Sequence, residues 1–238
     1  MIRRLFTDIA GCYDRMNRIL SLGLDLTWRR KAAALVRDAP QRILDLACGT
    51  GDMAFALAER FPAAEIVGVD LTPAMLELAR RKNRSPRISF REGDVQVPQT
   101  TLGVFDLATC AFGFRNFPDK AAALSAVRRA LKPDGRLLVL EFFRSEHAVL
   151  SGLTNVWLWL LSAVFARGKA SAYAHLRRSM RTTLTAREFV ALAESFGFGL
   201  VRRKQLFPCC CILLFAWKGG RLVTKKISGD DSDGCVVT

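Results

Sequence analysis

The sequence predicts an α/β fold organised around a parallel sheet, and three observations carry that expectation. Strand-like apolar runs alternate with helix-length segments between residues 43 and 142, the pattern of repeated βαβ crossovers. The first run leads into a glycine turn and the second ends on an aspartate, so ligand-binding loops fall at strand ends. The chain has 238 residues, half of them hydrophobic, enough for one domain to bury a full core without disulfides.

In chain order, residues 1–40 read as helical and Pro40 closes them. Ile43-Leu44-Asp45-Leu46-Ala47 is a strand, Cys48-Gly49-Thr50-Gly51-Asp52 a turn, and a helix runs from Met53 to Arg60. Residues 65–70 form the second strand. Thr72 as N-cap and Pro73 at the first position open a helix ending near Asn83. Residues 87–91 and 105–111 are the next strands, followed by a helix from Lys120 to Leu131. Pro133-Asp134-Gly135 is a turn before the fifth strand, 136–142. Residues 148–166 carry no formal charge and include Trp157 and Trp159, but Ser151, Gly152, Thr154, Asn155 and Ser162 dilute them. An amphipathic or buried cover helix is expected there rather than a membrane span. A helix over 185–197, stopped by Gly197, precedes two strand-like segments, 198–204 and 210–217. Residues 219–238 read as a mobile tail.

Charge is uneven. The net charge of +14 divides into +5 over residues 1–42, +1 over 43–146, +8 over 147–218 and zero over the last 20. Basic flanks around a neutral middle point to an anionic partner, a membrane face or a nucleic acid. With two Tyr and no RNA-binding motif, nucleic acid is the weaker expectation. The seven Cys, at 12, 48, 110, 209, 210, 211 and 235, form no C-x-x-C pair, so no metal site is expected. A reduced, cytosolic protein fits. Residues 1–8 reach an acid at once and show no apolar signal region.

Gly49-Thr50-Gly51 between strand and helix lets the backbone approach a ligand, and Asp70 at the next strand end can accept both hydroxyls of a ribose. Together they indicate a cofactor containing adenosine. Gly49, Gly51 and Ala54 also satisfy the dinucleotide pattern, so NAD competes. Asp45 before the turn and Asp52 after it would repel a pyrophosphate, whereas the ammonium of an amino acid tail can pair with carboxylates. Asp94, after the third strand, could accept from an adenine amino group. The three acids favour S-adenosyl-L-methionine.

Four groups of residues then resemble one family. They are Phe6-Thr7-Asp8-Ile9-Ala10 with Tyr13-Asp14-Arg15-Met16-Asn17; Leu22-Gly23-Leu24-Asp25 with Trp28-Arg29; Leu44 to Asp52; and Ala111-Phe112-Gly113-Phe114-Arg115-Asn116-Phe117. Leu131-Lys132-Pro133-Asp134-Gly135-Arg136 and Leu140-Glu141-Phe142 also match. From residue 6 to about 200 the chain resembles the ubiquinone/menaquinone biosynthesis C-methyltransferases. The resemblance implies a class I methyltransferase Rossmann-like sheet, mostly parallel with an antiparallel last strand. It implies one domain over 1–218, with an N-terminal helical cap (1–42) and a helical cover insertion (147–184), ahead of the tail. S-adenosyl-L-methionine would be held by Asp45, Gly49, Thr50, Gly51, Asp70, Leu71, Asp94, Val95 and Ala111, the last replacing a Ser the family can carry. The implied reaction methylates a ring carbon of a prenylated hydroquinone, demethylmenaquinol or its ubiquinone-pathway counterpart. A methyltransferase of the same fold with another small substrate, or a basic RNA-binding module, is the alternative.

A ring carbon becomes nucleophilic when its neighbouring hydroxyl is ionised, so the site must hold a phenolate and accept a ring proton. Arg115 is expected at the phenolate and His175 as general base. Tyr13 and Asn17, one helical turn apart, are expected to line the acceptor pocket together with Asn116, Tyr173 and Ser179. A prenylated acceptor resides in the bilayer. The Trp157/Trp159 stretch and Arg167, Lys169, Arg177, Arg178 and Arg181 would dock the protein peripherally on an anionic inner membrane face. Homo-oligomerisation is left open.

Overall fold

The computed structural model describes residues 2–97, 102–145, 170–207 and 210–217. Three helices open the chain: α1 (Ile2–Ile9), α2 (Tyr13–Leu20) and α3 (Leu24–Leu35), with a 3-10 turn at Ala10–Cys12. The single helical stretch expected over 1–40 is thus broken twice. One break is at Leu22 (φ 53°) and Gly23 (φ 79°), both left-handed. Then follow β1 (Arg42–Leu46), α4 (Asp52–Arg60), β2 (Glu65–Asp70), α5 (Pro73–Lys82), β3 (Ile88–Glu92), β4 (Phe105–Ala111), α6 (Lys120–Ala130) and β5 (Leu131–Phe142). Helices α7 (Ala170–Thr182) and α8 (Ala186–Ser195) precede β6 (Phe198–Phe207) and β7 (Cys210–Trp217).

The seven strands run β3-β2-β1-β4-β5-β7-β6. β1 to β5 are parallel, and β7 is antiparallel to both β5 and β6. Successive strand residues feed opposite faces. Ile43, Ile66 and Leu138 pack with Trp28 of α3, Leu57 of α4 and Leu76 of α5. Leu44, Val67, Leu137 and Val139 pack with Leu124 of α6 and Phe189 of α8. This is a three-layer sandwich whose central strands are buried on both sides.

Some boundaries differ from expectation. β5 begins at Leu131, not 136: Phe105 pairs with Leu131 and Leu107 with Arg136, so the predicted turn is a bulge inside one strand. Thr72 occupies the N-cap of α5 but its side chain makes no capping bond. Asp70 Oδ1 instead receives the Thr72 N–H at 2.8 Å. At α8 the capping box is complete, Thr185 and Glu188 each bonding the other's backbone N–H. The Trp157/Trp159 stretch, Arg167, Lys169, Cys209, Cys235 and the tail lie outside the described residues, as do the side chains of Tyr173 and Arg177. Among the described residues no helix is long and apolar enough to cross a membrane, and no group of three or more His, Cys, Asp or Glu could hold a metal.

Candidate active site

β1 and β4 are adjacent in the sheet, but their following strands lie on opposite sides of them. A crevice at such a switch point, beyond the C-terminal strand ends, is where open α/β sheets bind ligands. The residue after each of these strands is left-handed although neither is glycine: Ala47 at φ 50° and Phe112 at φ 60°. Such strain gathers at functional sites. Gly113 follows, and a Cβ there would sit 2.7 Å from Cys110 Sγ and 2.9 Å from Ala47 Cβ. Only a residue without a side chain lets the two strand ends approach this closely.

A cavity of about 20 Å³ opens at this point, lined by Tyr13, Arg29, Asp45, Gly49, Thr50 and Ala111 among others. Asp45 is fully buried in β1. Its Oδ1 accepts from Thr109 Oγ1 at 2.7 Å, and its Oδ2 has no hydrogen-bond partner among the described residues. Burial pushes its pKa up to about 7, against the bond from Thr109 and the charge of Arg29. Gly51 is the left-handed residue (φ 89°) that starts α4. Asp70 Oδ2 accepts the Gly49 N–H at 2.9 Å, tying the end of β2 to the turn. Burial raises the Asp70 pKa, opposed by the N–H groups of Thr72 and Gly49. Leu71 is half-buried beside it. Gly93 N–H reaches Asp70 O, which sets Asp94 and Val95 at the neighbouring strand end. Asp94 accepts from the Gln96 N–H, and Val95 is buried in the core.

The N-terminal cap is held over this turn by charge. Asp14 of α2 accepts from Thr50 Oγ1 at 2.5 Å and from Lys82 Nζ at 2.9 Å. Lys82 also pairs with Asp52 at 2.8 Å, as does Arg18. Arg18 and Arg29 both pair with Asp25, and Asp25 and Arg29 are buried. Burial would raise the Asp52 carboxyl, but Lys82 and Arg18 hold it below its ordinary value. The expectation that Asp52 repels a phosphate is therefore corrected: two cations neutralise it. This network was missed in the sequence. The signal was present in α3, where Asp25 and Arg29 share the i, i+3, i+4 stripe of Trp28, Ala32 and Ala33 that faces the core.

A second cluster gathers around a pair of stacked aromatic rings. The rings of Phe112 and Phe142 stack at 4.9 Å. The Arg29 guanidinium lies 5.1 Å from the Phe112 ring, and that of Arg115 lies 6.0 Å from it. Arg115, expected at the phenolate, is held by a buried carboxylate: Nη1 donates to Glu141 Oε1 at 2.6 Å and to Phe112 O at 2.8 Å. Glu141 is buried and Arg115 nearly so. His175 of α7 meets Asn116 here, Nε2 to Oδ1 at 3.1 Å. Asn116 Nδ2 faces Phe112 O at 3.4 Å, so its Oδ1 accepts, which assigns the proton of the neutral ring to Nε2 and leaves the lone pair on Nδ1. Burial, then Arg115 and Arg178, lower the His175 pKa. Phe6 packs edge-on against His175 and Tyr13. Tyr13 lines the cavity, but Asn17 is not among its lining residues. Ser179 is buried in α7.

The ubiE/COQ5 methyltransferase family model matches residues 1–218. A demethylmenaquinone methyltransferase of Thermus thermophilus is 42% identical over 203 residues, 82% of this chain and 92% of that protein. The ubiquinone/menaquinone biosynthesis C-methyltransferase UbiE of Geotalea uraniireducens is 39% identical over 207 residues, 83% and 87% of the two chains. Solved structures share the fold. A methyltransferase bound to the Trm112 activator, from Haloferax volcanii, superposes with a TM-score of 0.67 at 15% identity, over 89% of this chain and 97% of that one. A TehB-like methyltransferase of Corynebacterium glutamicum gives 0.59 at 20%, over 88% and 98%. By the family match across its described fold and by these relatives, this chain belongs to the ubiE/COQ5 methyltransferase family.

Proposed function

We propose that this protein methylates a ring carbon of a prenylated hydroquinone, demethylmenaquinol or its ubiquinone-pathway counterpart, with S-adenosyl-L-methionine as methyl donor. The observation that carries the reading is the meeting of two unlike clusters at the stacked Phe112 and Phe142 rings, with Arg29 of one over Phe112 and Arg115 of the other near both rings. One offers a buried carboxyl with an unpartnered oxygen; the other offers a neutral imidazole beside a guanidinium. The orphaned Asp45 Oδ2 suits a cationic amino group, and Asp70 suits ribose hydroxyls. Asp45, Gly49, Thr50, Gly51, Asp70, Leu71, Asp94, Val95 and Ala111 would hold the cofactor. When bound, it supplies an electrophilic methyl group on a sulfonium.

On the acceptor side, Glu141 fixes the guanidinium plane of Arg115, which meets the phenolate as half of an ion pair. That pairing limits the charge it lends the oxyanion but makes its direction rigid. His175 Nδ1 takes the ring proton, and Asn116 sets the tautomer that frees it. Tyr13, which lines the cavity, would form part of the acceptor wall. The acceptor's chemistry supports a peripheral position on the cytoplasmic membrane face, with exposed Arg178 and Arg181 toward anionic head groups.

The test is product analysis. The purified protein, S-adenosyl-L-methionine and chemically reduced demethylmenaquinone are incubated and the quinones separated by mass and fragmentation. A ring carrying one new C-methyl is expected. An O-methyl product, or none while RNA becomes labelled, would overturn the reading.

A further inference from the structure

Five large hydrophobic side chains stand exposed among the described residues, and three of them fall within five positions: Leu22 (71% exposed), Leu24 (42%) and Leu26 (38%). They surround the tip where α2 turns back into α3. Leu22 is left-handed (φ 53°), a conformation that leucine adopts only at an energetic cost. A large apolar side chain is therefore held outward against both solvent and backbone preference, and such strain persists where it serves a function. Helix α2 itself buries none of its residues fully. Exposed Arg15 on α2 and exposed Arg30 and Lys31 on α3 stand about two helical turns back from the tip, Arg30 paired with exposed Glu59, within the segment of net charge +5.

We infer that this leucine tip inserts into the interfacial layer of an anionic lipid membrane. Leucines in front with cations behind match a bilayer, whose apolar layer lies beneath negative head groups. The placement has a consequence for the site. α2 carries Tyr13 and α3 carries Arg29, and both line the cavity. The docked tip would therefore bring the walls of the site to the surface from which a prenylated acceptor emerges. The inference rests on the proposed acceptor but names the docking element independently of it.

The test is flotation with phosphatidylglycerol/phosphatidylcholine vesicles against pure phosphatidylcholine vesicles. Wild type should float with the anionic vesicles. Leu22→Gly keeps the left-handed turn without strain, so its melting temperature should hold or rise while vesicle affinity falls several-fold. The triple variant L22S/L24S/L26S should lose about tenfold or more. A parallel assay follows methylation of a tail-less, water-soluble hydroquinone and of a long-chain one embedded in vesicles. The variants should retain the first activity and lose the second. If neither hydroquinone is methylated by wild type, the acceptor assignment fails, while flotation still decides the docking surface. Wild-type flotation by Leu22→Gly and the triple variant overturns the inference. So does a self-association of wild type, seen in sedimentation, that the triple variant abolishes without change in flotation.

Discussion

Asp45 offers the sharpest quantitative test of the cofactor assignment. Its carboxyl is fully buried, with a pKa pushed up to about 7. Pairing with a cationic amino group requires the ionised form, so below pH 7 cofactor binding must expel a proton. The ionised fraction falls from about half at pH 7 to about a tenth at pH 6 and a hundredth at pH 5, so affinity should drop about fivefold and then about ninefold, roughly 1.0 and 1.3 kcal/mol. At pH 6 about 0.9 proton should be released per cofactor bound. Calorimetry in buffers of differing ionisation enthalpy measures both quantities. Asp45→Asn keeps an acceptor for the Thr109 hydroxyl but cannot ionise. Its affinity should be weak and flat with pH, whereas Asp70→Asn should retain the slope. A wild-type affinity that does not change between pH 5 and 7, or a slope that survives in Asp45→Asn, would refute the pairing.

Four further sites carry expected outcomes. His175→Ala should lower kcat at unchanged cofactor affinity, and the acid limb of kcat/KM should lie below pH 6.5 in wild type because burial and Arg115 lower the imidazole pKa. In R115Q/E141Q, which removes that cation with its buried partner, the limb should move up in pH. Arg115→Ala alone leaves Glu141 buried without its cation, held by two backbone N–H groups, so it should cost about 3–5 kcal/mol in denaturant unfolding, well beyond the double variant. Asp14→Asn, which weakens the contacts to Lys82 and Thr50, should speed cofactor release in stopped-flow chase. Gly113→Ala should destabilise by about 1–3 kcal/mol, since the added methyl meets Ala47 and Cys110 inside contact distance.

Much of the sheet was legible in sequence because its strands are buried on both faces and read as continuous apolar runs. β2, β4 and β7 are bounded as expected. The cofactor turn was legible because glycines and strand-terminal acids have few other uses in such a position. What escaped was set by partners distant in sequence. Asp14 meets Thr50 and Lys82, and Glu141 meets Arg115, over separations that no local pattern encodes. The neutralisation of Asp52 and the capture of Arg115 are consequences of those pairings. The bulge at 132–135 hid a strand because Pro, Asp and Gly are also turn residues. The break at Leu22 defied propensity, since leucine rarely leads a chain into the left-handed region.

The position of β7 imposes an order on synthesis. β6 is made first but lies at the sheet edge with β7 as its partner, and β7 must slot between β6 and β5. β5 ends at Phe142, so its outer edge waits through about 70 residues of translation for Cys210 to arrive. Until then the row of N–H and C=O groups on β5 is open to other chains. The stretch Cys210–Phe215, buried throughout, stays solvent-facing while it emerges. Final closure of both faces is thus a late, non-local step, slow by the usual relation of rate to contact separation. A nascent chain halted between Phe142 and Cys210 would carry the whole glycine turn yet leave the outer edge of β5 unpaired, a natural target for chaperones.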